Sequence, residues 1–372
     1  MKKICCVFNY PPFYRKPIFD EMAKELSCDF FFGDNVFEPL VMFDVDKLRG
    51  FQSMFHSKRI YKGYVWFQGC RKIFRKEYTD YLVTGTDEYL VNWLLIIYCK
   101  LTKKRLYFWS HGIKTKSFGF LEKIKIKTFF TSATGVFLYN RYTIPFMTNI
   151  GCMRERLFVL HNSLNTPIQS ALYANQKKSD VFKAHFCNSN PTFLYIGRIQ
   201  KRKKLDQLIS AIELMKSNGC KVNLTIVGDV ADDVTLPLLV EEKRLTDSVW
   251  FYGASYDERK NAELIYNACA CVSPGNVGLT AIHSLSYGTP VITNDNYTTQ
   301  MPEFESIIDG VTGSFYREDD IEDLARHMLY WANRSDDEID STKKKCRDIV
   351  EREWSLSYQM SIFKSVFKND EG

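Results

Sequence analysis

The stretch 193–212, FLYIGRIQKRKKLDQLISAI, combines a short apolar run, a glycine, a cluster of cations and a helical pattern. Its apolar run, 192–196, predicts a buried strand that ends at Gly197. From Leu205 onward, leucine and isoleucine recur at the three- and four-residue spacing of a helix. A strand, a turn and a helix in this order are typical of one βαβ unit of a parallel sheet.

The same alternation continues on both sides of this stretch and predicts an α/β protein with two Rossmann-like domains and parallel sheets. Further strands are predicted at 4–8, 29–32, 81–83, 105–109, 135–139, 158–160, 223–227, 249–252, 268–273 and 291–293. Helices are predicted at 18–26, 88–99, 121–132, 278–287, 322–332 and 344–368, the last with Trp354 near its middle.

A polar, loop-rich segment at 162–191 predicts the boundary between the two domains. We therefore expect an N-terminal domain at 1–165, a linker at 166–190, a C-terminal domain at 191–350 and a closing helix at 351–372. A chain of 372 residues is long enough to bury two cores.

Composition excludes several classes of protein and leaves the partner open. The 45% hydrophobic and 25% charged fractions exclude a disordered, collagenous or coiled-coil chain. The net charge of +6 suits an anionic ligand or an anionic membrane surface, and equally a solvated basic surface, but is too small to indicate nucleic acid. The 11 cysteines have no zinc-site spacing, and they favour a reducing cytoplasm. No signal peptide and no transmembrane helix are expected.

Two cations at one strand end form the strongest candidate site. Arg198 directly follows the strand that ends at Gly197, and Lys203 stands just before the next helix. An arginine fork and a lysine point charge at the mouth of a parallel sheet suit a diphosphate. A solvated basic loop is the alternative reading of the same residues.

The second candidate site is SPGNVGLTAIH, residues 273–283, where a predicted strand passes through a glycine-containing loop into a helix. Gly275, Asn276 and Gly278 lie in the loop, and free N–H groups at a helix start bind anions. Neither the P-loop nor the dinucleotide fingerprint is present.

Taken together, the C-terminal half resembles glycosyltransferase family 4, whose members have the two-domain GT-B fold with a cleft between the domains. The resemblance rests on five segments in order: 193–212, VNLTIVGD (222–229), VWFYGAS (249–255), GLTAIHSLSYGTPVI (278–292) and PEFESIIDGVTG (302–313). More loosely, NYPPFYRKPIFDEMAKE (9–25), YFWSHG (107–112), FVLHNSLNT (158–166) and the helix around Trp354 are similar to the N-terminal domain and to a C-terminal helix that crosses back to it.

The resemblance implies a retaining transfer of a hexose-type sugar from a nucleotide-sugar, UDP before GDP, to a glycan or lipid-linked glycan acceptor in cell-surface polysaccharide synthesis. Arg198 and Lys203 would hold the diphosphate, together with the amides of Gly278, Leu279 and Thr280. The loop after the strand ending at Gly253 would meet the base. No cofactor and no metal are implied, since cations and a helix end replace the metal. The one Asp-x-Asp pattern noted, Asp44 to Asp46, lies far from the donor motifs.

The sequence departs from the family at two positions that usually carry glutamates. Gly275 and His283 occupy them. His283 is expected to hydrogen-bond a ribose hydroxyl, since a neutral imidazole has both a donor and an acceptor. Glu303 or Glu305 is an alternative source of a carboxylate. An inactive nucleotide-sugar-binding scaffold and a GT-B epimerase remain alternative functions.

On the N-terminal side, the resemblance suggests that His111 is a positioning or proton-handling residue beside the transferred sugar. A structural loop histidine is the alternative. Arg15 follows a double proline and is expected to contact the acceptor or a phosphate, with a surface arginine as the alternative.

Aromatic and basic residues alternate in two N-terminal segments, 51–76 and 114–130. This mixture suits the interface of an anionic bilayer, so that the protein would be cytoplasmic and peripheral at the inner face of the membrane. The alternative is an amphipathic helix packed on its own core.

Overall fold

The computed structural model describes residues 3–34, 41–114, 118–230 and 235–368, apart from the side chain of Lys62. The chain divides into two compact units. The first comprises the residues up to Leu164 together with the segment from Leu356 onward. The second is Asn165–Ser355.

The described residues of the first unit form an eight-stranded sheet. Its strands are β1 (Lys3–Phe8), β2 (Cys28–Gly33), β3 (Phe51–Arg59), β4 (Val65–Gln68), β5 (Tyr78–Thr84), β6 (Arg105–Ser110), β7 (Gly135–Leu138) and β8 (Leu157–Val159). The order across the sheet is β4-β3-β2-β1-β5-β6-β7-β8. All neighbouring pairs are parallel except β3 and β4, which pair antiparallel at the edge.

Helices cover both faces of this sheet. They are α1 (Lys16–Glu25), α2 (Leu90–Thr102), α3 (Phe120–Thr131) and α4 (Ile144–Asn149). The inward side chains of α2 and α3 join one buried apolar cluster, and those of α1 join a second cluster on the opposite face. Strands buried on both faces are typical of parallel sheets, and the apolar run at 4–8 reflects this burial.

The described part of the second unit contains a six-stranded sheet in which every neighbouring pair is parallel. Its strands are β9 (Thr192–Ile196), β10 (Asn223–Val227), β11 (Val249–Gly253), β12 (Ala270–Ser273), β13 (Val291–Asn294) and β14 (Gly313–Tyr316), in the order β11-β10-β9-β12-β13-β14. The α/β architecture with two sheets is therefore confirmed.

The helices of the second unit are α5 (Thr166–Ala174), α6 (Val181–Phe186), α7 (Leu205–Ser217), α8 (Leu236–Glu242), α9 (Glu258–Asn267), α10 (Leu279–Ser286), α11 (Ile321–Ala332) and α12 (Asp336–Glu353). The spacing that predicted α7 is confirmed, because Leu205, Leu208, Ile209 and Ile212 are all buried against the sheet.

The segment 166–190, expected to be a linker, contains α5 and α6, which both contact α9. Some of its polar residues are buried, namely Thr166 and Gln169 of α5, which a loop reading of the segment does not predict. The structure assigns the segment to the second unit.

The predicted helix 344–368 is interrupted at Trp354, which is fully buried. The chain then forms α13 (Leu356–Phe367), which belongs to the first unit and contacts α1. The Phe363 ring of α13 lies 5.0 Å from Phe137 and 5.5 Å from Trp109. Gln359 accepts a hydrogen bond from Ser163 and donates one to the carbonyl of His161.

The aromatic and basic segment 51–76 forms strands β3 and β4 rather than a helix, so the helical alternative is wrong there. Along β3, buried side chains alternate with exposed ones near the edge of the sheet. A two-residue period on a half-covered edge explains why charged and aromatic residues are interleaved.

Candidate active site

Two loops at the carboxyl ends of β9 and β12 are interlocked through their backbones. The amide of Gly275 donates to the carbonyl oxygen of Lys203 at 3.0 Å, and Lys203 Nζ donates to the carbonyl oxygen of Asn276 at 2.6 Å. A Cβ atom on residue 275 would lie 2.0 Å from the carbonyl oxygen of Arg202. Glycine at 275 therefore permits this approach, and the space for a glutamate side chain is occupied by the 200–203 backbone.

Buried polar side chains after β13 hold the 274–277 loop in place. Asn294 Nδ2 donates to the carbonyls of Pro274 and Gly275 at 2.7 and 3.0 Å. Gln300 Oε1 accepts the amide of Val277 at 2.7 Å. Because the carbonyl groups are bound on the interior side, they are turned away from a ligand at the strand ends. The sequence analysis missed Asn294 and Gln300, although polar residues directly after a predicted strand are a usable signal.

The N-terminus of α10 is attached to the end of β9. Thr280 Oγ1, in the first turn of α10, donates to the carbonyl of Ile196 at 2.9 Å. Gly278 precedes the helix, and no side chain caps it. The first amides of a helix lack partners within the helix, so this end carries N–H donors and the positive pole of the helix dipole. Leu279 is the first residue of this helix.

The predicted diphosphate cations lie in one loop beside these amides. Arg198 is half-buried, and its carbonyl accepts the Tyr195 hydroxyl at 2.7 Å. Burial, together with the neighbouring cations Arg202 and Arg198, lowers the pKa of Lys203 to about 8, against an opposing effect of the buried Glu303 carboxylate. A lysine short of compensating negative charge is suited to bind an anion.

Strand β11 is at the edge of the second sheet, and its carboxyl end lies at the same end of the sheet as the two loops. Gly253 is exposed, has a φ of +85°, and accepts the Gly228 amide at 2.9 Å. A Cβ atom on Gly228 would lie 1.8 Å from the carbonyl oxygen of Gly197, so the ends of β9 and β10 also meet at backbone distance. Beyond Gly253, the Tyr256 hydroxyl hydrogen-bonds Asp229.

His283 lies one turn further along α10 and is paired with a carboxylate that the sequence analysis missed. Its Nε2 is 3.1 Å from Glu258 Oε1, at the first residue of α9. The same oxygen accepts Tyr287 Oη at 2.7 Å and Gln169 Nε2 at 3.2 Å. Of the two other glutamates considered, Glu303 is buried, with 2% of its surface exposed.

In the first unit, Arg15 is enclosed by aromatic rings. Its guanidinium hydrogen-bonds the Tyr139 hydroxyl and lies 4.8 Å from the centre of the Trp109 ring and 5.9 Å from that of Tyr14. Its Nε is buried without a hydrogen-bond partner, and no carboxylate among the described residues pairs with it. These contacts hold the Arg15 side chain in place, so it is not a freely exposed surface arginine.

His111 follows β6 and packs against Tyr139, with ring centres 4.4 Å apart. The surrounding protein and the cations Arg15 and Lys114 lower the pKa of His111. The ring stays partly exposed to solvent, which limits this shift, but its direction keeps the imidazole neutral near pH 7. The structure therefore brings together Arg15 and His111 in one unit, and all the other predicted site residues in the second.

Within the described residues, no group of three histidine, cysteine, aspartate or glutamate side chains is placed to hold a metal ion. No described helix is long and apolar enough to cross a membrane.

Comparison with known proteins identifies the class of this unit. Residues 176–351 match the family model of glycosyl transferases group 1, which covers most of the second unit. The second unit is thus a glycosyl transferases group 1 domain, and the chain is a glycosyltransferase with the GT-B fold. No curated protein is significantly similar to it in sequence.

Solved structures of glycosyltransferases resemble the whole chain. The apo form of the lipopolysaccharide outer core galactosyltransferase WaaB shares 14% identity with a TM-score of 0.70, over 99% of both chains. Anabaena HepE in complex with UDP shares 15% identity with a TM-score of 0.73, over 98% of this chain and 100% of that one. A glycosyltransferase from Rickettsia africae shares 15% identity with a TM-score of 0.74, over 99% and 100%. At these identities the likeness establishes the fold.

Proposed function

We propose that this enzyme is a retaining glycosyltransferase that moves a hexose-type sugar from a UDP-sugar to a glycan or lipid-linked glycan in cell-surface polysaccharide synthesis. The observation that carries the proposal is the interlocked pair of loops around Lys203 and Gly275, with the α10 N-terminus beside it. The structures of HepE in complex with UDP and with UDP-glucose support UDP as the nucleotide.

In this proposal the diphosphate lies between the 198–203 loop and the first turn of α10. Lys203 and Arg198 stabilise the negative charge that grows on the leaving diphosphate, and the amides of Gly278, Leu279 and Thr280 donate to its oxygens. Fixed donors aimed at developing charge are usually the largest catalytic contribution. The buried bonds from Asn294 and Gln300 keep the loop in place before substrate arrives.

His111 is proposed as a positioning or proton-handling residue and Arg15 as an anchor for an anionic group of the acceptor or the donor. A neutral His111 has one ring nitrogen that can donate a hydrogen bond to a sugar hydroxyl and one that can accept a hydrogen bond from it. Arg15 is half-buried, with a buried Nε and no carboxylate partner among the described residues, which favours an anionic ligand. In this step the acceptor hydroxyl oxygen bonds to the anomeric carbon on the face from which the diphosphate leaves, the bond from that carbon to the diphosphate oxygen breaks, and the departing diphosphate takes the hydroxyl proton. The step therefore uses neither a protein nucleophile nor a protein base.

We further propose that catalysis needs no metal, since Lys203, Arg198 and the helix end supply positive charge at the diphosphate. Activity measured after exhaustive chelation with EDTA and then with added Mg²⁺ or Mn²⁺ checks this directly. Equal turnover in all three conditions is expected. A loss on chelation that only the metal restores would contradict metal independence while leaving the transferase assignment intact.

The first experiment is a thermal-shift panel of UDP, GDP, ADP and CMP on the wild type, Lys203→Ala and the exposed loop variant Lys201→Ala. A ligand that binds only the folded state raises its melting temperature. UDP is expected to shift the wild type and Lys201→Ala, and to shift Lys203→Ala much less. Equal UDP shifts in wild type and Lys203→Ala would remove Lys203 from the site, and no shift with any nucleotide would contradict the proposed donor.

Stereochemistry is tested on the product. With an α-linked UDP-sugar and a suitable acceptor, NMR of the new glycosidic bond is expected to show an α linkage. A β linkage would overturn the retaining mechanism.

A membrane-facing surface is proposed on the first unit, formed by the outer sides of α2 and α3. Phe120 and Leu121 are 79% and 78% exposed, and Leu101 is 80% exposed. Exposed lysines lie near them in the sequence, namely Lys100 and Lys103 beside Leu101, and Lys123 and Lys127 after Leu121. Lys116, which belongs to the same predicted surface, lies outside the described residues. Exposed large apolar groups together with exposed lysines on the same helices complement an anionic lipid surface.

Vesicle co-sedimentation tests this surface. Binding to phosphatidylcholine vesicles that contain phosphatidylglycerol is expected, with weaker binding at high salt and none to phosphatidylcholine alone. Replacing Phe120 and Leu121 by serine should abolish it, while the exposed Tyr330→Ser of the second unit should not. Unchanged binding of the double variant would exclude α3 as the contact.

A further inference from the structure

We propose that Glu258 is a positioning residue that holds His283 in the orientation and tautomer needed to accept a hydrogen bond from the ribose of the donor. The inference rests on the proposed function, because a ribose is bound only if the donor is a nucleotide-sugar. It goes beyond the sequence resemblance, since Glu258 lies outside the motifs that carry it and the family glutamate at position 283 is absent.

Glu258 is ionised and acts as an acceptor toward three neighbours. Its Oε1 accepts from Tyr287 at 2.7 Å and His283 at 3.1 Å, at the end of and within α10, and from Gln169 of α5 at 3.2 Å. It is the first residue of α9, where the helix dipole favours negative charge. Burial alone raises the pKa of Glu258, but the hydrogen bonds from His283, Tyr287 and Gln169 outweigh it and hold the pKa at about 2.

An ionised carboxylate has only acceptor sites, so a neutral His283 must carry its proton on Nε2 to bond with Glu258. The other ring nitrogen, Nδ1, then presents a lone pair. Nδ1 forms no hydrogen bond with any residue that the structure describes. The side chain of His283 is 15% exposed, so the ring is ordered against protein on one side and open on another.

This arrangement places an acceptor at the position where a glutamate would supply one. A ribose hydroxyl donates to Nδ1 as it would to a carboxylate oxygen, while the negative charge resides on Glu258, behind the imidazole. His283 is four residues after Leu279, one turn from the amides proposed for the diphosphate. One turn advances about 5.4 Å along the helix axis.

The preference for UDP over its deoxyribose analogues is the measurement that distinguishes a positioning role of Glu258 from a purely structural one. Binding of UDP, 2′-deoxy-UDP and 3′-deoxy-UDP is measured by calorimetry on the wild type, His283→Ala, Glu258→Ala, Glu258→Gln and Tyr287→Phe. The wild type is expected to prefer UDP over one deoxy analogue by about threefold to tenfold, the range of one neutral hydrogen bond. This preference should disappear in His283→Ala and in Glu258→Ala.

Two variants serve as controls on the same oxygen. Glu258→Gln keeps an acceptor oxygen and should retain most of the preference, even if Glu258→Ala is poorly folded. Tyr287→Phe removes the 2.7 Å bond to Glu258 without touching His283, and should retain the preference with only a loss of stability. The double variant with Ala at 258 and 283 should be no worse than either single variant.

The tautomer is observed directly by NMR of protein labelled with ¹⁵N-histidine. The wild type should show the Nε2-protonated form at His283, assigned by its loss in His283→Ala, and Glu258→Ala should show mixed tautomers. Full ribose preference in folded Glu258→Ala would overturn the inference, as would the Nδ1-protonated form in the wild type. If UDP binds in a Lys203-dependent way but these results fail, only the inference falls; if no nucleotide binds, the proposed function falls.

Discussion

The ammonium of Lys203 lies 2.6 Å from the carbonyl oxygen of Asn276, so the cation of one strand-end loop is bound to the backbone of the next. The reverse bond, from the Gly275 amide to the Lys203 carbonyl, closes the pair at 3.0 Å. A single lysine thus links the two loops, and it carries the charge that we propose for binding a diphosphate. Predictions about binding and about stability follow from this double role.

UDP affinity is expected to fall as the pH rises above about 8, by up to tenfold per pH unit. Lys203 has a pKa lowered to about 8 in the free protein, and a bound diphosphate stabilises its charged form, so binding takes up a proton above that pH. Calorimetry between pH 7 and 9.5 measures the slope. Lys203→Ala should bind more weakly and show no such slope, and an equal slope in that variant would exclude Lys203 as its origin.

The same lysine should make the stability of the free enzyme change with pH in the direction opposite to UDP affinity. Because the folded-state pKa of Lys203 lies below its unfolded value, the unfolded chain binds more protons between about pH 8 and 10.5, and the contribution of Lys203 to stability rises with pH across that window. The unfolding midpoint of the wild type, measured relative to that of Lys203→Met, should therefore rise from pH 8 to pH 10. A difference that is constant with pH would contradict the lowered pKa.

Gly275→Ala is expected to destabilise the second unit by about 1–3 kcal/mol and to weaken UDP binding. The added Cβ would lie 2.0 Å from the carbonyl oxygen of Arg202, so the two loops must separate. Denaturant unfolding and calorimetry measure the two effects. Gly119→Ala is the matched control, since its added Cβ meets no atom within 4 Å and its φ is −60°. Restoring the family residue with Gly275→Glu should be worse than alanine, and improved activity would contradict the packing.

Gln300→Ala should weaken UDP binding without any contact of Gln300 with the ligand. The change leaves the buried amide of Val277 without its acceptor, at a cost of about 1–3 kcal/mol, and it loosens the 274–277 loop. Thr299→Ala, at an exposed neighbouring position, is the control. Wild-type affinity in a destabilised Gln300→Ala would show that loop order and binding are separable.

Phe363→Ala should destabilise the first unit by about 3–5 kcal/mol, although residue 363 is near the end of the chain. Its ring is fully buried beside Phe137 and Trp109, and removal leaves a cavity. Hydrogen exchange should accelerate in peptides of the first unit and stay unchanged in 192–196 and 205–217. The exposed Ser365→Ala should match the wild type. Acceleration confined to the second unit would contradict the placement of α13.

Local patterns in the sequence were sufficient wherever one element is specified by neighbouring residues. The spacing of Leu205, Leu208 and Ile209 predicts α7, and the apolar run 192–196 predicts β9, because hydrophobic periodicity reflects burial directly. The candidate donor loops were found for the same reason, since each is a contiguous strand, turn and helix.

Contacts between distant segments were decided by the tertiary structure alone. Glu258 and His283 are 25 residues apart, and no period in either helix predicts that they meet. The reason for glycine at 275 is the Arg202 carbonyl, which only the fold brings to that point. The edge strand β4 and its neighbour β3 were not predicted, because exposure on one face interleaves charged and aromatic residues as a surface helix also does.

The sequence by itself determined the α/β class, most strands and helices and the loops of the candidate site, because these depend on residues adjacent in the chain. The tertiary structure decided which side chains share a hydrogen bond, which glycine has no room for a Cβ, and that the helix at 356–367 belongs with the N-terminal sheet. These features depend on packing between residues that are far apart in the chain. Many different sequences satisfy the same local pattern, and only the assembled core selects which residues contact each other.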